Sequence, residues 1–104
     1  MAAPDSSGVR TIVIRDAASM DDVRALAQAA FALPKVVLIG ALSNPPSVLM
    51  ASSEDSGVDA GRSIKERLTA VGGRGGGSPR IAQGSVPNVE AVENVVSSLL
   101  NRAG

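Results

Sequence analysis

The sequence predicts an α/β domain, a mixed β-sheet of three to four strands packed with three helices in the order β-α-β-β-α-(β)-α. Three observations lead to this prediction. Short β-branched or apolar runs have the length of strands, longer segments repeat apolar residues with the period of a helix, and turn residues separate the two kinds of segment. With 104 residues, the chain is long enough for one domain with a modest core.

Strands are predicted from β-branched and apolar composition. The first is predicted at 11–15, where Thr-Ile-Val-Ile is β-branched, and the second at 36–42, within a continuous apolar run typical of a buried strand. The turn sequence Ser-Asn-Pro-Pro at 43–46 then predicts a third strand at 47–53, antiparallel to the second. A short fourth strand at 80–83 is left open.

Helices are predicted at 20–32, 58–71 and 88–101, because apolar residues fall on one face of each segment. Ser19 and Asp22 have the spacing of a capping box at the start of the first helix. Residues 1–8 are small and polar, so we expect a flexible tail there and a folded domain over 9–104.

The composition excludes several classes of function. An apolar fraction of 44% and a mean hydropathy of +0.18 fit a packed domain, with Phe31 as the sole aromatic residue. The chain has no cysteine and no histidine, so Ser-His and Cys-His nucleophile pairs are absent and a zinc site is not expected. No apolar run approaches the roughly 18 residues of a membrane-spanning helix. We therefore expect a cytoplasmic protein with no catalytic centre, metal or cofactor of its own.

The most unusual stretch is the glycine-rich run at 72–84, which has five glycines within its first six residues. Such a backbone permits positive φ angles and close approach by a partner. Two interpretations compete: the run only ends a helix and turns the chain, or its bare amides bind an anion together with Arg74 and Arg80.

Two glycine fingerprints can be rejected. Gly72 and Gly77 have the spacing of a Walker A loop, but Ser78 and Pro79 follow in place of lysine and serine or threonine. A dinucleotide fingerprint should precede a helix, whereas this run follows a predicted one and is expected at the negative end of its dipole. Nucleotide hydrolysis is therefore not expected.

Charge is distributed unevenly, although the formal net charge is zero. The segment 62–80 has five basic residues against Glu66 alone, a local balance of +4. A basic face beside a glycine run would suit the binding of nucleic acid. An ordinary solvent-exposed helix surface would show a similar charge pattern. The basic residues are Arg62, Lys65, Arg67, Arg74 and Arg80.

Two segments of the sequence resemble a known family. The first is Val58-Asp59-Ala60-Gly61 followed by Ile64-Lys65-Glu66, and the second is Gly72-Gly73-Arg74-Gly75-Gly76-Gly77-Ser78-Pro79-Arg80-Ile81-Ala82-Gln83-Gly84. These segments are similar to the DHH-associated domain at the C-terminus of alanyl-tRNA synthetases. That family shows His-Ala-Gly at the start of this helix and Gly-Gly-Gly-Arg-Pro-Asp-Met-Ala-Gln after it. The resemblance covers roughly residues 9–100. Asp59, Ser78 and Arg80 depart from the pattern, where the family has His, Arg and Asp.

The resemblance implies a tRNA-binding module that contacts the tRNA elbow and assists aminoacylation and editing by a parent enzyme. Its implied partners are tRNA and the catalytic and editing domains of that synthetase, and a homodimer is left open. Two alternatives remain, the substrate-binding domain of a DHH-type phosphoesterase and a structural or dimerisation domain. The candidate nucleic-acid-binding residues are Arg62, Lys65, Gly73, Arg74, Gly75, Gly76, Gly77, Ser78, Arg80 and Gln83.

Overall fold

The computed structural model describes residues 9–100, so the predicted tail at 1–8 and the last residues lie outside the described part. Within residues 9–100, the chain forms five strands and three α-helices in the order β-α-β-β-α-β-β-α. A 3-10 turn at Glu54–Ser56 precedes the second helix. The elements are β1 Arg10–Ile14, α1 Met20–Ala30, β2 Val36–Ser43, β3 Pro46–Ser52, α2 Ala60–Ala70, β4 Arg74–Gly77, β5 Ile81–Ser85 and α3 Val89–Leu100.

All five strands belong to one mixed sheet with the order β1-β2-β3-β5-β4. β1 pairs with β2 in parallel, and the other three pairings are antiparallel. The crossover through α1 explains the parallel pair, because parallel strands need a long connection. The two edges of the sheet are therefore β1 and the glycine strand β4.

Helices cover both faces of the sheet. Helices α2 and α3 pack on one face, where Ile64, Leu68 and Leu99 are buried against strand residues such as Ile39 and Met50. Helix α1 packs on the opposite face with the buried residues Val23, Ala27 and Ala30. Gly40 of β2 permits this close approach, since a Cβ there would lie 2.3 Å from Val23 Cγ1.

The helix boundaries follow from local hydrogen bonds. The Ser19 hydroxyl accepts a hydrogen bond from Asp22 N–H at 3.1 Å, which confirms the predicted cap of α1. Gly72 follows α2 with a φ of +79°, a conformation that glycine adopts without strain. The Asn88 side chain accepts from Ala91 N–H at 2.8 Å at the start of α3.

The predicted fold class is confirmed, and the structure adds one element that the sequence did not indicate. Within the glycine-rich run, Arg74–Gly77 form a strand and not a loop. This strand pairs with β5, and Gly75 lies opposite Gly84. Glycine is depleted in strands because it loses much backbone entropy and offers no side chain for packing. For this reason, the composition of the run argued against a strand.

Candidate nucleic-acid interface

The glycine strand β4 is held between β5 and helix α2, and this packing requires its small residues. A Cβ at Gly75 would lie 2.7 Å from Leu68 Cδ1, and one at Gly84 would lie 2.3 Å from the same atom. Two facing glycines thus make room for a leucine of α2 on the sheet. In contrast, a Cβ at Gly76 would meet nothing within 4 Å, because this residue faces the other side of the strand.

The end of β4 lies beside the N-terminus of α2. Gly73 N–H donates to Leu68 O at 2.7 Å at one end of the helix, and at the other end a Cβ on Gly61 would lie 2.8 Å from Gly77 O. Strand β4 therefore runs back along α2 towards its start. The expectation that the whole run lies at the negative end of the dipole is wrong for Gly77 and its neighbours, which approach the positive end.

The N-terminus of α2 is capped within the protein. Asp59 Oδ1 accepts from Arg62 N–H at 2.9 Å, and Pro79 O accepts from Ala60 N–H at 2.9 Å. The first turn of α2 therefore already has a carboxylate, and an anion bound at this end of the helix would lie beside Asp59. Cationic side chains are needed to offset that negative charge.

An open cavity of about 500 Å³ lies between the first turns of α2 and strand β4. Arg62 is exposed and pairs with Glu66 at 3.5 Å, a surface ion pair that constrains it weakly. Lys65 is also exposed, and its ammonium has no ion pair or hydrogen bond within residues 9–100. The lining residues are Asp59, Gly61, Arg62, Lys65, Gly75, Gly76, Gly77 and Pro79.

Three predicted site residues are already engaged inside the protein. The half-buried Arg80 donates from one terminal nitrogen to Val58 O at 3.3 Å, and its other terminal nitrogen is buried without a partner. Ser78 closes the β4–β5 turn, where its hydroxyl accepts from Ile81 N–H at 3.1 Å. The Gly73 amide caps α2. In this arrangement, these residues shape the edge of the sheet rather than face the cavity.

Arg74 and Gln83 lie on the opposite face of the sheet from α2. Gln83 is paired with Gly76 in the strand register, and Arg74 is two residues from Gly76, so all three share the α1 face. Arg24 of α1 donates to Gln83 Oε1 across this face. Sequence reasoning missed Arg24, which lies 59 residues from Gln83 in the chain.

Another cavity, of about 630 Å³, lies between the end of α1 and the 3-10 turn. Its lining includes Glu54 and Asp55. The Ser53 hydroxyl and then the Lys35 backbone N–H donate to Asp55, and these hydrogen bonds lower the pKa of its carboxyl. Because the carboxylate stays charged, this cavity does not suit a polyanion.

Within residues 9–100, no helix is long and apolar enough to cross a membrane. No group of three or more acidic, histidine or cysteine side chains in that range is placed to hold a metal ion.

The fold and its basic edge define an α/β domain whose candidate site is a glycine strand flanked by cationic side chains. Residues 7–103 match the model of the DHHA1 domain, and the chain belongs to this family. Its resemblance to the C-terminal domain of alanyl-tRNA synthetases, expected from the sequence, is thereby confirmed.

Known relatives agree with this assignment. The chain is 31% identical over 94 residues to an alanine–tRNA ligase of Natronomonas pharaonis, and 36% identical over 66 residues to one of Streptococcus suis. These matches cover 90% and 64% of this chain but only 10% and 8% of the ligases. The crystal structure of the C-Ala domain from Aquifex aeolicus alanyl-tRNA synthetase superimposes with a TM-score of 0.73 at 21% identity. That match covers 95% of this chain and 92% of the other.

Proposed function

We propose that this domain binds folded tRNA at the edge formed by β4 and the first turns of α2. The observation that carries the proposal is the cavity where Arg62 and Lys65 flank the bare backbone of Gly75–Gly77. The fold shared with the C-Ala domain and the two alanine–tRNA ligase relatives support tRNA as the ligand.

The chemistry of the edge suits a phosphodiester backbone. Arginine and lysine pair with phosphate oxygens, and glycines allow a bulky ligand to approach the main chain. With Phe31 as the one aromatic residue of the chain, the domain lacks the stacking platforms of single-strand binders. Recognition therefore depends on the shape and backbone of a structured RNA.

The domain acts as an accessory module in this proposal. It contacts the tRNA elbow and assists aminoacylation and editing, while the reaction itself takes place in other domains of a cytoplasmic parent enzyme. The chain spans about a tenth of the length of its ligase relatives, which fits the role of one module.

The test is a titration of folded tRNA and of an unstructured oligonucleotide at several salt concentrations. We expect wild-type protein to prefer the folded tRNA, with a dissociation constant in the range of about 10⁻⁴ to 10⁻⁶ M and an affinity that falls as salt rises. The variant Asp59→Asn should bind roughly two- to fivefold more tightly, because a nearby unit charge in water is worth up to about 1 kcal/mol. Asparagine caps a helix about as well as aspartate, so α2 should be preserved.

Asp16→Asn provides the matched control for charge. The Asp16 carboxylate also accepts a hydrogen bond, from the Ser43 hydroxyl at 3.0 Å, and it follows β1 near the opposite edge of the sheet. Its positive φ of 55° is one that asparagine tolerates. Equal gains from both variants would mean that net charge alone governs affinity. Absence of tRNA binding by folded wild-type protein would refute the proposal.

A further inference from the structure

A second cavity lies across strand β4 from the cavity beside α2. This second space, about 210 Å³, lies on the α1 face and is lined in part by Arg24 and Gln83. Gly76 and Gly77 line both cavities. These residues have no side chains, so only the backbone of one edge strand separates the two spaces.

The second cavity presents hydrogen-bond donors. Arginine cannot accept a hydrogen bond, so the contact from Arg24 fixes the amide of Gln83 with its oxygen towards Arg24. The Gln83 amide nitrogen, which can only donate, has no partner within residues 9–100. Such a pair suits a ligand that offers acceptors alone, as a phosphate group does.

Two cations contribute to this face. The side chain of Arg74 has no hydrogen bond or ion pair among the described residues, and the strand register places it on the same face as Gln83. Arg24 pairs with Asp21 at 3.8 Å, but that carboxylate is 94% exposed and the pair leaves most guanidinium donors available. The cationic side chains therefore lie on both sides of strand β4.

We infer that one RNA backbone segment straddles the glycine edge, with phosphates contacted by Arg62 and Lys65 on one face and by Arg24 on the other. This inference rests on the proposed function and adds Arg24 as a phosphate-contacting residue, with Gln83 as a second donor beside it. Packing against β5 accounts for glycine at Gly75 and Gly77 but not at Gly76, where a Cβ would meet nothing within 4 Å. In this inference, the absence of a side chain at Gly76 keeps the two halves of the site open to one backbone segment.

The test is the salt-dependent titration of folded tRNA with Arg24→Ala and a matched control, Arg15→Ala. Both arginines are about half exposed, with side-chain exposures of 49% and 43%, and each pairs with one carboxylate, at 3.8 Å and 3.6 Å. Arg15 follows β1, beside the opposite edge of the sheet.

Arg24→Ala should weaken binding several-fold and make the log–log salt slope shallower by about one unit, while Arg24→Lys should keep most of that slope. Arg15→Ala should leave both quantities unchanged.

Each outcome is decisive when the variants unfold at the same temperature as wild type. If wild-type protein and Arg15→Ala bind but Arg24→Ala binds equally well with the same slope, the straddling site is wrong and the proposed tRNA function stands. If both arginine variants lose the same affinity, the effect is one of net charge and the inference also fails. If wild-type protein binds no tRNA, the proposed function and this inference fail together.

Discussion

Replacing Gly75 by alanine should lower the free energy of unfolding by roughly 1–3 kcal/mol, the usual cost of overpacking a close contact. A Cβ at this position would lie 2.4 Å from Gln83 O, 2.5 Å from Gly84 Cα and 2.7 Å from Leu68 Cδ1. Two of these atoms belong to the backbone of β5, so rotation of a side chain cannot relieve the clash. The measurement is chemical denaturation followed by circular dichroism.

Gly76→Ala is the matched control, since it places the same methyl group on the next residue of the same strand. Nothing lies within 4 Å of its Cβ position, and Gly76 does not have a positive φ. We expect its free energy of unfolding to stay within about 0.5 kcal/mol of wild type. Equal destabilisation by both substitutions would show that β4 is not packed between Leu68 and β5 as described.

The largest effect on binding should come from the double variant Arg62→Ala with Lys65→Ala. Each lost phosphate contact removes about 0.9 from the log–log salt slope, so the slope should become shallower by roughly two units. The affinity for folded tRNA should fall about tenfold or more at low salt. Both side chains are exposed, and the ion pair from Arg62 to Glu66 contributes little to stability, so the variant should remain folded.

The control for this double variant removes one arginine and one lysine that lie far from strand β4 in the sheet order. Arg15 follows β1 and Lys35 precedes β2, so Arg15→Ala with Lys35→Ala changes the net charge equally. We expect this control to keep nearly all of the wild-type affinity and slope. If the two double variants lose the same affinity, the basic cavity is not the binding site.

The central elements of the fold could be predicted because their sequence patterns match their burial. Seven of the eight residues of β2 are buried, and the sequence shows this directly as a continuous apolar run. Strand β4 lacked such a signal. Its glycines are accommodated by Gly84 and Leu68, residues whose proximity depends on the tertiary fold.

The candidate site was predictable only as a region of the chain. Arg62, Lys65 and Gly75–Gly77 do come together around one cavity. Neighbours in sequence separate in space, however, because strand alternation places Arg74 and Gln83 on the other face and the β4–β5 turn directs Arg80 to Val58 O. Arg24 joins Gln83 through packing of α1, which no local pattern indicates.

The most direct test of tRNA binding at this edge is an amide-resolved NMR titration of the isotope-labelled domain with folded tRNA. The proposal predicts salt-sensitive shifts concentrated in the first turns of α2, in β4 and in the β4–β5 turn. Residues around the acidic cavity at Phe31–Pro34 and Ser53–Asp55 should stay unchanged. Shifts confined to that acidic cavity or to α3, with β4 and α2 unaffected, would contradict the account.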